Sequence, residues 1–171
     1  MPSNRCTEGQ PLRWEEMETV LDHIKSLLSA RGMHYREVHH APTHTSEESA
    51  RARGEDVSIG GKALLMKVGE DYKLFVLSAA RKIDSRQIKT RFGTKKLRFA
   101  TTEELQDFTG LVPGSVPPFG RPILPFDLYV DSSVTKNERI AFNAGSLTTS
   151  IIMGCRDYLA LVSPEVFDFS L

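Results

Sequence analysis

The stretch Gly60-Gly61-Lys62-Ala63-Leu64-Leu65-Met66-Lys67-Val68-Gly69-Glu70-Asp71-Tyr72-Lys73-Leu74-Phe75-Val76-Leu77-Ser78 contains two apolar runs separated by Gly69, Glu70 and Asp71. Runs of this length, rich in Leu, Val and Phe and joined by a short glycine-containing loop, read as the two strands of a hairpin, here Ala63 to Val68 and Tyr72 to Ser78. On the N-terminal side, Thr45 followed three residues later by Glu48 is a capping-box signature for a short helix that Gly54 ends. Tyr35 and Val38 alternate with polar neighbours as a short strand, which Pro42 breaks. Further upstream, Trp14, Met17, Val20, Leu21, Ile24, Leu27 and Leu28 form one apolar stripe, so a helix is expected from Arg13 to Arg31, with Gly32 as its stop. On the C-terminal side, Asp84 can cap a helix through Phe92 that Gly93 terminates, and Lys95 to Ala100 reads as a strand. Thr101 with Glu104 repeats the capping box for a helix ending near Gly110. Leu111 to Pro125 holds five of the nine prolines and two glycines, too many for a regular element, and is expected to be a shaped loop. Phe126 to Val130, Arg139 to Phe142 and Thr148 to Ile152 read as strands, and Arg156 to Val162 as a closing helix.

Seven or so strands mixed with short helices indicate an α+β class. At 171 residues the chain is expected to be one domain, 1–171, with residues 1–12 as a flexible N-terminal tail. Cys6 and Cys155 stand near opposite ends, which is neither a disulfide framework nor a zinc set and suits a reducing compartment. No apolar run approaches the roughly 20 residues needed to span a bilayer, and the first residues are too polar for a signal peptide, so a soluble intracellular protein is expected.

The formal net charge is zero, but it is unevenly distributed. Residues 1–80 carry 10 basic and 12 acidic groups, a balance of −2. Arg81, Lys82, Arg86, Lys89, Arg91, Lys95, Lys96 and Arg98 stand against Asp84 alone, a balance of +7, and the remaining residues have 4 basic and 9 acidic, a balance of −5. A basic segment on a mildly acidic body can follow a phosphate backbone, because that attraction acts within about 10 Å. It reads equally as a solvated lysine-rich face.

Gly60-Gly61-Lys62 invites comparison with a phosphate-binding loop, but the first glycine of that pattern would fall at Asp56 and Ala63 stands where Ser or Thr is needed. Lys62 still enters an apolar strand after a glycine pair, which can aim its ammonium into a cleft; an ordinary exposed strand-end lysine fits the same letters. His39, His40 and His44 precede the expected helix and lack a further ligand, so no metal is expected. There is no nucleophile elbow, and neither cysteine has a flanking histidine. In Gly114-Ser115-Val116-Pro117-Pro118-Phe119-Gly120 the two prolines lack N–H groups, leaving the Gly114, Ser115 and Val116 amides as donors. A rigid run of amides can stabilise an oxyanion, each donor being worth about 3 to 4 kcal/mol, while a proline-stiffened surface turn is the alternative. Phe142-Asn143-Ala144-Gly145-Ser146 offers Asn143 and Ser146 as hydrogen-bonding groups with space at Gly145, or a simple β-turn.

The order of these pieces, His40-Ala41-Pro42-Thr43-His44-Thr45-Ser46-Glu47-Glu48, then Gly61 to Leu65, Gly114 to Gly120 and Phe142 to Ser146, resembles the YbaK/ProX family, free-standing relatives of the editing domain of bacterial prolyl-tRNA synthetase. The resemblance extends from about Tyr35 to Val162. It implies a YbaK-like mixed β-barrel-like sheet flanked by short helices, and deacylation of mischarged aminoacyl-tRNA in the cytoplasm without a cofactor. It assigns the family lysine to Lys62, the GxxxP loop to Gly114 through Pro118, the threonine before the second helix to Thr45, and the strand-end motif to Asn143, Gly145 and Ser146. Pro117 departs from the pattern, where many relatives have a residue with an N–H. With an activated ester as substrate, a positioned water and a stabilised carbonyl oxygen replace a protein nucleophile. The basic run is then a candidate surface for the tRNA acceptor stem, prolyl-tRNA synthetase a candidate partner, and a small amino acid on a proline tRNA the expected substrate, with alanine or cysteine first and serine or threonine next. A non-catalytic tRNA-binding or synthetase-complex adaptor, docking through the first helix, is the competing expectation.

Overall fold

The computed structural model describes residues 18–171. The expected tail at residues 1–12, Cys6 and the expected helix start at Arg13 lie outside the described residues. The first helix within the described residues, α1, runs over Val20–Ala30, where the Thr19 hydroxyl accepts from the Asp22 N–H while the Asp22 carboxylate accepts from the Thr19 N–H. That reciprocal cap sets the boundary. Ile24 and Leu28 carry the stripe and are fully buried.

The remaining elements follow in order: β1 (Tyr35–His39), α2 (Ser46–Arg53), a 3-10 turn (Val57–Ile59), β2 (Gly61–Val68), β3 (Asp71–Ser78), α3 (Ser85–Phe92), β4 (Leu97–Phe99), α4 (Thr102–Thr109), β5 (Asp127–Val130), α5 (Ser132–Thr135), β6 (Arg139–Asn143), β7 (Thr149–Gly154), α6 (Cys155–Val162) and β8 (Glu165–Val166). The β2–β3 hairpin is present and forms the centre of a five-stranded sheet ordered β4-β2-β3-β5-β8, antiparallel except where β3 meets β5 and β5 meets β8. β1, β7 and β6 form a separate antiparallel three-stranded sheet. The class is α+β as expected, but among the described residues the strands make two sheets and no closed barrel. Their link is a single parallel bridge between Gly60 and Ala141.

Leu74, Phe75, Val76 and Leu77 are all fully buried, so β3 is covered on both faces, which its unbroken apolar run requires. One face packs Phe75 against Tyr129, Phe92 and Phe169; another cluster gathers Leu65, Leu74, Leu105 and Phe126. The three-stranded sheet buries Phe142, Ile151 and Met153 beneath α1 and α6. Leu111 to Pro125 is irregular, as the prolines demand, and is tied to the core by the Tyr158 hydroxyl, which donates to the Pro118 carbonyl at 2.6 Å. Three short elements, the 3-10 turn, α5 and β8, were not anticipated from the sequence.

Candidate active site

The two sheets meet at Gly60 and Gly61. A Cβ on Gly61 would lie 2.6 Å from Ile140 Cδ1, so glycine there lets β2 approach β6 this closely, and one on Gly60 would lie 2.8 Å from the Ala79 Cβ just past β3. A cleft of about 230 Å3 opens beside this junction. Its walls come from the segment around Thr45 at the start of α2, the first residues of β2, and the loop at Gly114.

Lys62 follows the junction directly and lines the cleft. Its ammonium donates to the Arg81 carbonyl at 2.8 Å. Burial lowers its pKa; the Glu47 carboxylate opposes that shift and the Lys82 charge adds to it. Thr45 also lines the cleft, with its hydroxyl accepting from the Glu48 N–H as the cap of α2.

The floor is a connected polar network. Arg53, in the last turn of α2, is 8% exposed, and its Nε donates to Ser150 Oγ at 2.9 Å while Nη2 donates to Asn143 Oδ1 at 3.1 Å. The Ser150 hydroxyl also donates to Asn143 Oδ1, at 3.0 Å, and lies 2.8 Å from His40 Nε2. Asn143 Nδ2 in turn donates to the Gly114 carbonyl at 2.8 Å. Asn143 is thus the clamp that holds the proline loop against the floor. Thr43 Oγ1 and Ser49 Oγ, both buried, form a further hydroxyl pair at 2.8 Å in the cleft wall.

Gly114 and Val116 line the cleft, but Ser115 does not. The Ser115 N–H donates to the Val112 carbonyl at 3.1 Å and its hydroxyl to the same oxygen at 2.8 Å, so its amide is spent inside the turn. Pro118 holds the loop through its carbonyl and also stays out of the cleft. Gly145, at φ 74°, packs under α1, where a Cβ would lie 2.9 Å from Val20 Cγ1; the space expected there for a ligand is filled by the helix. Ser146 bonds the Thr148 N–H and hydroxyl within the β6–β7 connection. Of the motif residues, the fold therefore brings together Thr45, Lys62, Gly114, Val116 and Asn143, and keeps Ser115, Pro118, Gly145 and Ser146 behind them.

The Aminoacyl-tRNA editing domain family matches residues 40–161. The matched span contains every element that builds the cleft. The chain belongs to the aminoacyl-tRNA editing domain family. It is 33% identical over 150 residues, 84% of this chain and 89% of the relative, to the Multifunctional Ser/Thr-tRNA deacylase ProXp-y of Escherichia coli K12. It is 32% identical over 90 residues to the Prolyl-tRNA editing protein ProX of Acetoanaerobium sticklandii, covering 52% of this chain and 55% of that protein. A crystal structure of a candidate trans-editing enzyme for prolyl tRNA synthetase superposes with a TM-score of 0.78 at 26% identity, over 91% of this chain and 99% of that one.

In this editing domain the basic run divides in two. Arg86 pairs with Asp84, Arg91 with Glu165, Lys96 with Glu70 and Arg98 with Glu104. Arg98, first, and the Tyr72 hydroxyl hold the Glu104 carboxyl far below the usual carboxylate range. Arg81, Lys82, Lys89 and Lys95 have no carboxylate within 4.0 Å among the described residues. Of these, Arg81 accepts from Lys62 through its backbone carbonyl and the Lys82 charge acts on Lys62.

The histidines do not converge. His39 faces Glu37, His40 sits between the Ala41 carbonyl and Ser150, and the His44 N–H donates to Glu48. Among the described residues no three His, Cys, Asp or Glu side chains group as metal ligands, and no helix is long and apolar enough to cross a membrane. Cys155 is buried and its thiol pKa is pushed up by burial, which makes it a packing residue.

Sequence reading missed Arg53, Thr43 and Ser49. Arg53 lies in Ser46-Glu47-Glu48-Ser49-Ala50-Arg51-Ala52-Arg53, where the letters describe an exposed charged helix. The only available signal was spacing: Ser49, Ala50 and Arg53 stand three and four apart on one face, and all are buried.

Proposed function

We propose that this editing domain is a trans-acting hydrolase of the cytoplasm that cleaves the ester of mischarged aminoacyl-tRNA. The observation that carries the reading is the placement of Lys62 and of the Gly114 and Val116 backbone on one cleft, among whose lining hydroxyls, Thr43, Thr45, Ser46 and Ser49, none is hydrogen-bonded to a histidine base. Lys62, with Arg81 and Lys82 beside it, anchors the phosphate of the terminal nucleotide at the mouth. The N–H groups of Gly114 and Val116 are the loop donors for the ester carbonyl, Ser115 being engaged in its turn. Water then adds to the carbonyl carbon and the carbonyl electron pair moves onto oxygen. Collapse breaks the bond to the ribose oxygen, which takes one proton from the attacking water; the other leaves with the acid as it ionises. A neighbouring ribose hydroxyl of the substrate assists by orienting the water.

A cleft of about 230 Å3 suits a small aminoacyl group. The buried Thr43 and Ser49 hydroxyls favour a side chain that can hydrogen-bond, because a site built for a hydroxyl discriminates far better than an apolar pocket does. With a relative named Ser/Thr-tRNA deacylase, seryl and threonyl esters come first, then alanyl and cysteinyl esters on proline tRNA. Prolyl-tRNA synthetase is the candidate partner. Incubation with a panel of mischarged tRNAs should release amino acid, with Lys62→Ala slower by at least tenfold. Release from none of them, or equal rates for the two proteins, would leave the non-catalytic adaptor as the better reading.

A further inference from the structure

We infer that Arg53 is a catalytic residue of this domain, an anion-binding position on the cleft floor that takes the developing oxyanion of the ester and then the carboxylate of the released amino acid. The inference rests on the deacylase reading for its substrate. It stands on three observations. First, Arg53 is 8% exposed and has no carboxylate within 4.0 Å among the described residues, whereas Arg36, Arg86, Arg91, Arg98, Arg121 and Arg139 all have one. A buried cation without a counter-charge is costly, and neutral partners offset only part of that cost.

Second, its partners use only two of its nitrogens. Nε and Nη2 are bound to Ser150 and Asn143, and Nη1 makes no hydrogen bond with the protein. Since no buried side-chain nitrogen or oxygen among the described residues is left unpaired, Nη1 is open to the cleft that Arg53 lines. Burial pulls the guanidinium down to about 10, so it stays charged at neutral pH. Third, Asn143 bonds Arg53 through Oδ1 and the Gly114 carbonyl through Nδ2, which fixes the guanidinium and the amide loop as two faces of one rigid unit. A carbonyl presented to the loop therefore lies beside a fixed positive charge in a partly dehydrated site, where such a charge stabilises a developing oxyanion most. Lys62 is ill placed for the same task, because its ammonium is directed to the carbonyl of Arg81, a residue that does not line the cleft.

The chemistry balances without a further reactant. Arg53 accepts no proton and forms no bond; it stabilises the electron pair on the former carbonyl oxygen until the ribose oxygen departs, and then faces the carboxylate. The test pairs kinetics with binding. Arg53→Ala should lower kcat about 10²- to 10³-fold with KM within a few-fold of wild type. Guanidinium chloride at tens of millimolar should restore activity to that variant beyond sodium chloride at equal ionic strength. A folded Arg53→Ala with wild-type kcat, or no selective rescue, would overturn the inference. Independently, in the wild-type protein the Arg53 Nε–H resonance should shift on titration with serine and not with serinamide, which lacks the carboxylate. Should Arg53→Ala fail to fold, this titration decides, and equal responses to the two ligands reject the site. Wild-type protein that binds serine at Arg53 but cleaves no mischarged tRNA would sink the deacylase reading while leaving the anion position standing.

Discussion

Lys62 shows how a single side chain acquires a function from its surroundings. The glycine pair before it makes its position legible from sequence, since glycine there signals close approach of backbone. Burial, the first cause, and the Lys82 charge hold its pKa below the ordinary lysine value, with Glu47 opposing them. Its ammonium is present below that lowered pKa and lost as pH rises through it. Substrate KM should therefore climb on the alkaline side at a lower pH than for an unperturbed lysine of about 10.4, and Lys62→Arg should abolish the rise. Steady-state KM measured against pH for the two proteins checks this; a flat wild-type profile up to that value contradicts it. Stability runs the other way: between the two pKa values the unfolded chain binds the extra proton, so this residue's penalty on the fold eases as pH rises. Arg53 was not legible in the same way. Its letters describe a helix-end cation that normally meets the carbonyl end of the helix dipole, and only packing turns it inward.

At the scale of elements, caps were the most readable features. Thr45 with Glu48, Asp84, and Thr101 with Glu104 start α2, α3 and α4 at the expected residues, and Gly54, Gly93 and Gly110 end them in the left-handed conformation. These signals are local, a hydroxyl or carboxylate meeting an N–H two or three residues away, so tertiary context does little to alter them. Thr45→Ala should cost about 1 kcal/mol of stability, read as a lower urea midpoint at unchanged slope. Because α2 carries Arg53, Thr43's partner Ser49 and the cleft wall, the same variant should also lose activity beyond its loss of folded protein. The β6–β7 connection behaves differently. Gly145 stands at φ 74° with α1 lying over it, so Gly145→Ala should destabilise by about 2 to 4 kcal/mol through backbone strain and collision with Val20. Chemical denaturation measures it, and a change below about 0.5 kcal/mol would mean that α1 shifts freely. The short α5 and β8 escaped notice because four and two residues carry no periodicity.

Across the whole molecule, long-range contacts decide how the ends and the charges are arranged. The Asp131 carboxylate, 1% exposed, caps α5 and accepts from the Phe169 N–H at 2.6 Å and the Ser170 hydroxyl at 2.8 Å, fastening the chain's last residues to the core. Burial raises its pKa, but the bonds from Ser133, Phe169 and Ser170 together outweigh it and the net shift is downward. Its stabilisation is thus complete above the unfolded value of about 3.9 and is lost as pH falls through the lower folded value. Asp131→Asn should cost about 2 kcal/mol at neutral pH, with the gap to wild type narrowing below about pH 4. Unfolding free energies measured across pH would show a constant gap if Asp131 were merely polar packing. The charges give a second prediction on this scale. Arg81→Glu with Lys82→Glu should weaken tRNA binding and flatten its salt dependence by roughly one unit of log–log slope for each phosphate that is no longer neutralised. Reversal at Lys96, whose charge Glu70 already meets, should do so less, and equal effects at the two places would mean that the whole run touches tRNA.

The sequence by itself determined the helix caps, the β2–β3 hairpin, the irregular proline loop and the position of Lys62, because each depends on residues within a few positions of one another. Only the tertiary structure decided that the strands form two sheets meeting at Gly60 and Gly61, and that Gly145 lies under a helix. It also decided that Arg91 meets Glu165 and Lys96 meets Glu70, and that Arg53 is buried beside Asn143. Those outcomes depend on which distant segments share a space, and hydrogen bonds between residues 90 or more positions apart, such as Arg53 with Asn143 and Ser150, leave no local pattern in the chain.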